Sequence, residues 1–283
     1  MKKLTLLIPC FFLVFSTVAC SFTVNLPKVK IGEVKSITIA EPVPQDPANA
    51  RVEIDFGAGT LEISGGSEYW VGGEIRTNIG AWEPKIIRED NWLQIKQDHL
   101  GDIRIPDKDI INEWKLVLGN VPCSLSINAG GYKGTINLSG VPITDLSIAD
   151  GASQATVTFE TLNPAQMNLF NYRTGASEVN LYNLSNSNVD SFVFEGGTGS
   201  YTLDFSGQLQ RDMHVTISTG VSDLEIIIPE GIPARVSISG GLNNVSAQGT
   251  WTISNNVYEK DGDGPLINII VEMGLANLNL ISR

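Results

Sequence analysis

Residues 191–207 read SFVFEGGTGSYTLDFSG. Two short runs place an apolar residue at every second position, Phe192 and Phe194 in the first, Tyr201 and Leu203 in the second. A period of two is the mark of a strand with one face in a core. Between the runs stand Gly196, Gly197 and Gly199, residues that let a chain turn tightly. The same arrangement recurs along the chain. DGASQATVTFETL starts at Asp150, TGASEVNLYNL at Thr174, TGVSDLEIIIP at Thr219, GGLNNVSAQG at Gly240 and MGLANLNLIS at Met273. An early copy, FGAGTLEISGG, starts at Phe56, and a looser one, AGGYKGTINLSG, at Ala129.

With Gly57, Gly151, Gly175, Gly197, Gly220, Gly241 and Gly274 taken as corners, the copies share one phase. Four residues on stand Leu61, Ala155, Val179, Tyr201, Leu224, Val245 and Leu278; six residues on stand Ile63, Val157, Leu181, Leu203, Ile226, Ala247 and Leu280. From Gly151 to Gly241 the corners are spaced 24, 22, 23 and 21 residues apart, and the next gap is 33. One such unit cannot bury its own apolar face, so stacking must supply the core. The reading is an all-β chain: a single-stranded parallel β-helix-like solenoid with coils of roughly 22 residues and β-rich end caps. An antiparallel sandwich is the alternative architecture.

The N-terminus carries a different signal. Lys2 and Lys3 precede an apolar run from Leu4 to Val18, the pattern of an export signal. STVAC, ending at Cys20, resembles the lipobox of bacterial lipoproteins, with Thr17 standing where an aliphatic is usual. The expected organisation is a lipoprotein signal over 1–19, a lipidated Cys20 and tether over 20–50, and an N-terminal coil with an aromatic-rich cap over 51–110. Repeated coils over 111–249 and a hairpin insertion with a C-terminal coil over 250–283 complete it. Export and membrane anchoring on the extracytoplasmic side, through acyl chains on Cys20, follow as expectations.

The chain of 283 residues has net charge −12, from 19 basic and 31 acidic residues. That balance opposes binding to nucleic acid. Catalytic chemistry has little to stand on. The best carboxylate pair is Asp204 and Glu225, on neighbouring coils, and it carries the alternative reading of a polysaccharide-acting β-helix hydrolase. Asp261 and Asp263, in KDGDGP, offer calcium two carboxylates but lack the rest of an EF-hand loop, so a turn is expected. His99 and His214 are the only histidines, and neither has a Cys or His partner at metal-ligand spacing. No metal or cofactor is expected. Cys123 sits in a strand pattern and reads as a small core residue. Candidate binding residues are Trp70 and Trp82, whose aromatic faces suit sugars or proteins but equally suit a cap core, and the outward polar positions Thr156, Asn180, Tyr182 and Thr202.

RVEIDFGAGTLEISGG (51–66), followed by a W..K stretch, resembles the N-terminal part of the toast-rack domain of unknown function. The glycine-strand repeats and the closing MGLANLNLI are similar to the related "putative adhesin" domains and to the C-terminal region of cell-wall stress-response membrane proteins. The resemblance covers residues 50–283. It implies a β-rich, non-enzymatic, adhesin-like envelope protein that presents its surface to an envelope protein or glycan or serves as an envelope scaffold, and it carries no catalytic residues.

Overall fold

A computed structural model describes residues 31–97 and 110–283. The export signal, Cys20 and His99 lie outside the described residues. The N-terminal end is built from β1 (Lys35–Glu41), β2 (Ala50–Ser67), β3 (Val71–Thr77), β4 (Pro84–Glu89), β5 (Trp92–Gln97) and β6 (Asn112–Gly119). Four long strands follow: β7 (Cys123–Asn137), β8 (Ile143–Thr158), β9 (Met167–Tyr182) and β10 (Val189–Asp204). The C-terminal end holds β11 (Met213–Ile228), β12 (Ala234–Gln248), β13 (Thr252–Ser254), β14 (Val257–Lys260) and β15 (Ile267–Ser282).

The long strands stack side by side and parallel, in the order β2, β7, β8, β9, β10, β11, β15, β12. Ser126 faces Ser147, Ser147 faces Asn171, Asn171 faces Val193, and Val193 faces Thr216, so each step carries the chain once around the body. The protein is a β-solenoid. Pairing between the repeated strands is parallel throughout, which an antiparallel sandwich does not allow.

Each long strand contains a corner, and side-chain parity shows it. In β9, Phe170, Tyr172 and Thr174 point inward; Gly175 and Ala176 are both exposed; then Ser177, Val179 and Leu181 point inward. Two successive exposed residues shift the inward set from even to odd numbers, which turns the sheet around the core. The ladder continues through the turn because the corner glycines stack. A Cβ placed on Gly175 would lie 2.4 Å from the carbonyl oxygen of Gly151, and one on Gly197 would lie 2.4 Å from that of Gly175.

The return to the next coil is held by asparagine side chains. Asn163, 2% exposed, donates from Nδ2 to the carbonyls of Ile143 (2.8 Å) and Ser187 (3.0 Å), and its Oδ1 accepts from the amides of Ile143 and Ala165. Asn186 ties the coil before to the coil after, donating to the Phe159 carbonyl at 2.8 Å and accepting from the Gln208 amide at 2.8 Å. Asn183 and Asn188 take left-handed conformations, φ 60° and 56°, which asparagine tolerates better than most residues. Backbone polar groups that leave the sheet are thereby satisfied.

The core runs the length of the stack. Phe159, Phe170, Phe192 and Phe205 form a file of aromatic contacts, with ring centroids 4.8 Å apart for Phe170 and Phe192. At the N-terminal end Trp114 meets Phe56 edge-on at 5.2 Å.

Three expectations need correction. The segment 20–50 is not all tether: β1 pairs antiparallel with β3 and buries Ile39. KSITIAE alternates, but without a glycine corner it lacked the mark that identified the other strands. Ala247 is exposed rather than inward, and Val245 is only half-buried, because β12 is the last coil and its second half has no neighbour beyond it. The final coil does not follow in sequence order. β15 lies between β11 and β12, parallel to both, while β12 forms the outer coil and the β13–β14 hairpin pairs with its first half at Ala234–Ser237.

Candidate functional site

The stacked corners make an open trough on the outside of the solenoid. Its floor is glycine backbone at Gly197, Gly220 and Gly274, where no side chain stands up. Arg173, Glu195 and Glu272 border one side. They belong to one register column, Arg173 facing Glu195, Glu195 facing Ser218, and Ser218 facing Glu272. Past the glycines a second column, Thr198, Val221 and Leu275, lines a separate shallow depression, with Val221 and Leu275 52% and 55% exposed. The trough encloses about 720 Å³ and crosses the strands from β8 to β12. With six strands in file it is on the order of 24 Å long.

Beneath its β8–β9 end lies a carboxylate that orders the corner. Asp150 Oδ2 accepts from the hydroxyls of Tyr172 (2.8 Å) and Tyr132 (3.4 Å). Asp150 Oδ1 accepts from Thr174 and from Ser177 (3.4 Å). Four hydroxyls, one from β7 and three from β9, thus share one carboxylate on β8. Burial, followed by repulsion from the Asp150 carboxylate, holds the Tyr132 phenol well above its usual range. Tyr172 is raised in the same direction, again chiefly by burial. Two coils further on the chain places Gly196 in this column, and no carboxylate follows. There the buried hydroxyls of Tyr201, Thr219 and Ser222 have no hydrogen-bond partner.

Beyond the corner, the second halves of the long strands carry a polar ladder on their outer face. Thr156 faces Asn180, Asn180 faces Thr202, Thr202 faces Glu225, and Glu225 faces Asn279. All five are half-buried, and Tyr182 stands beside them at 37% exposure. Asn279 Nδ2 donates to Glu225 Oε2 at 3.2 Å, and Gln248 Nε2 donates to Asn279 Oδ1 at 3.3 Å. Thr156, Asn180, Thr202 and Tyr182 thus lie on one outward face.

The other candidates fare differently. Trp70 is 1% exposed and lies under the Arg88 guanidinium, 5.4 Å from the ring centroid, so it fills the N-terminal core and offers no surface to a ligand. Trp82 is half-buried, in a short 3-10 turn spanning Gly80–Trp82. Asp204 accepts from the Ser206 amide at 2.8 Å, a turn contact within its own coil, while Glu225 is held by Asn279. The two carboxylates sit two register positions apart, since Thr202 faces Glu225 and Asp204 faces Ile227. Among the described residues no three His, Cys, Asp or Glu side chains come together in a group able to hold a metal ion, and Asp263 donates its backbone amide to the Gly231 carbonyl as part of a turn. Cys123 is buried, and burial pushes its thiol up to about 12, away from nucleophilic use. The Asp150 cluster was missed in the sequence, although the repeated TGxS at 174–177 and 219–222 carried part of its pattern.

Among solved structures, the chain is similar to a "putative cell adhesion protein" from Clostridium sporogenes, at 18% identity over 89% of this chain and 99% of that one, with a TM-score of 0.48. It is also similar to a "putative adhesin" from Bacteroides fragilis, at 10% identity over 88% and 97% of the two chains, with a TM-score of 0.46. A "putative lipid binding protein" from Parabacteroides distasonis matches at 10% identity over 90% and 98%, with a TM-score of 0.36. No curated protein sequence matches this chain. The family profile described as the N-terminal domain of toast_rack, DUF2154, matches residues 28–171 and 161–227, most of the solenoid, and the chain belongs to that toast-rack family.

Proposed function

We propose that this protein is a non-enzymatic component of the cell envelope, tethered through an acylated Cys20, whose solenoid presents the corner trough and polar ladder to an extended glycan. The observation that carries the reading is the trough itself. It is long, open and shallow, and its floor is backbone that a chain-like ligand can approach closely. Arg173, Glu195 and Glu272 along one border offer both charge signs. The hydroxyl and amide groups of Thr156, Asn180 and Thr202, with the Tyr182 ring beside them, suit the alternating polar and apolar faces of sugars. Among the described residues no helix is long and apolar enough to cross a membrane. The engagement of Asp204 and Glu225 with their own neighbours argues against the hydrolase alternative.

The test is in-cell crosslinking of the tagged native protein, followed by mass spectrometry of captured glycans and proteins. Enrichment of an envelope glycan that falls at least tenfold in Arg173→Glu supports the reading. Capture of a protein alone, or chemical turnover of the captured glycan, contradicts it.

A further inference from the structure

The shallow depression past the glycines has an apolar wall between carboxylates. Thr198, Val221 and Leu275 stand side by side on β10, β11 and β15, and the corner glycines before them, Gly197, Gly220 and Gly274, carry nothing that could cover them. Before the corner come Glu195 and Glu272, exposed, on either side of Ser218 in one register column. Neither has an ion-pair partner among the described residues. After the corner come Glu178 and Asp223, also exposed, on either side of Ser200. Asp223 follows Val221 by two residues on the same face, about 7 Å along the strand. Gln154 donates to Glu178 at 3.2 Å and Asn277 to Asp223 at 2.7 Å. These amides hold the carboxylates in place without cancelling their charge.

The same sign prevails around the site. Residues 174–283 hold 4 basic and 12 acidic side chains, a net −8 of the chain's −12. Three of those bases are engaged elsewhere: Arg211 with Asn188, Arg235 with Glu259, and Lys260 with the Pro229 and Ile232 carbonyls. In the two flanking columns from β9 to β15, Arg173 is the one base. We propose that the depression docks a basic polypeptide segment. Its aliphatic side chains cover Val221 and Leu275, and its lysines or arginines on both sides meet Glu195, Glu272, Glu178 and Asp223. Charge complementarity selects this occupant: an acidic partner, a second copy included, is repelled, and a basic one is drawn in and oriented. A glycan answers the apolar wall less well, because Val221 and Leu275 offer no aromatic face for a sugar ring. The peptide is a partner additional to the glycan proposed for the trough.

The full chain, extracted in a non-ionic detergent, is titrated with the labelled peptide KKLLKK by fluorescence anisotropy. Binding is expected, at least tenfold weaker at high salt and absent with EELLEE. Val221→Ser with Leu275→Ser, and separately Glu195→Gln with Glu272→Gln, are each expected to weaken it at least fivefold. All four side chains are exposed, so the thermal midpoint is expected to hold. Glu68→Gln with Glu89→Gln removes the same charge from exposed positions on the loop after β2 and on β4, and is expected to leave binding unchanged. Equal losses in the two carboxylate pairs would overturn the proposal by reducing the attraction to net charge. So would a failure of KKLLKK to bind, binding of KKSSKK as tight as that of KKLLKK, or tighter binding of oligoglucosamine, which would make the cationic partner a glycan. The glycan captured in cells is a separate readout, so either proposal can fail without the other.

Discussion

The α-carbon of Gly175 lies so close to the carbonyl oxygen of Gly151, one coil earlier, that a β-carbon there would stand 2.4 Å from it. The corner spacing is therefore set by backbone touching backbone. At Gly151 the corresponding distance, to the Gly130 oxygen, is 3.1 Å, so the stack is looser by one step. Gly175→Ala is expected to lower stability by about 1–3 kcal/mol, the range for forcing a shift in a packed structure, and Gly151→Ala by clearly less. Chemical denaturation of the two variants checks the order.

The Asp150 carboxylate and the Tyr201 hydroxyl make an opposed pair of predictions. Asp150→Asn removes a charged acceptor from four hydroxyls, two of them on the buried rings of Tyr132 and Tyr172, and is expected to cost about 2–4 kcal/mol. Tyr201→Phe deletes a hydroxyl that has no partner and is expected to be neutral or stabilising. Thermal unfolding midpoints give both answers.

Alkali should unfold the protein earlier than its acidic composition alone suggests. Burial pushes the Cys123 thiol from 9.0 to about 12 and, with the Asp150 charge second, the Tyr201 phenol from 10.0 to about 12. The folded state keeps protons that the unfolded chain releases. The stability they contribute is complete below about pH 9 and is lost as pH rises through the shifted values. Lys260 works the other way. Burial lowers it, with the Glu230 charge opposing, so its contribution improves as pH rises toward 10.5. Cys123→Ala is expected to flatten the decline between about pH 9 and 10, measured as the unfolding midpoint against pH.

The corners and the inward positions were legible because two signals coincide there: glycine, and a change of apolar parity. Gly175 and the shift from Thr174 to Ser177 are one event read twice. β1 was missed because Ile37 and Ile39 alternate without such a corner. The position of β15 was hidden for a deeper reason. Met213 pairs with Ile267, and Ile267 pairs with Ala234, so β12 and β15 offer the same column pattern to β11. Local pattern identifies a coil but not its order when two coils are interchangeable in register. Of the candidate site, the ladder at Thr156, Asn180 and Thr202 followed from strand period alone. The trough did not, since it arises from what the glycines lack across several coils. Trp70 looked like a binding residue because an aromatic near a chain end reads the same whether it faces solvent or closes a core.

The trough exists as described only if β15 lies between β11 and β12, since Met273 and Gly274 form part of it. Paired cysteines test that placement most directly. Thr216 and Ile270 are exposed and face each other across β11 and β15, while Ser237 lies one strand further out, facing Ile270. Neighbouring strands bring α-carbons within about 5 Å, inside disulfide range, and two strand spacings exceed it. Thr216→Cys with Ile270→Cys is expected to form an intrachain disulfide on mild oxidation, and Thr216→Cys with Ser237→Cys none. A disulfide in the second pair and none in the first would place β12 directly on β11 and contradict the account.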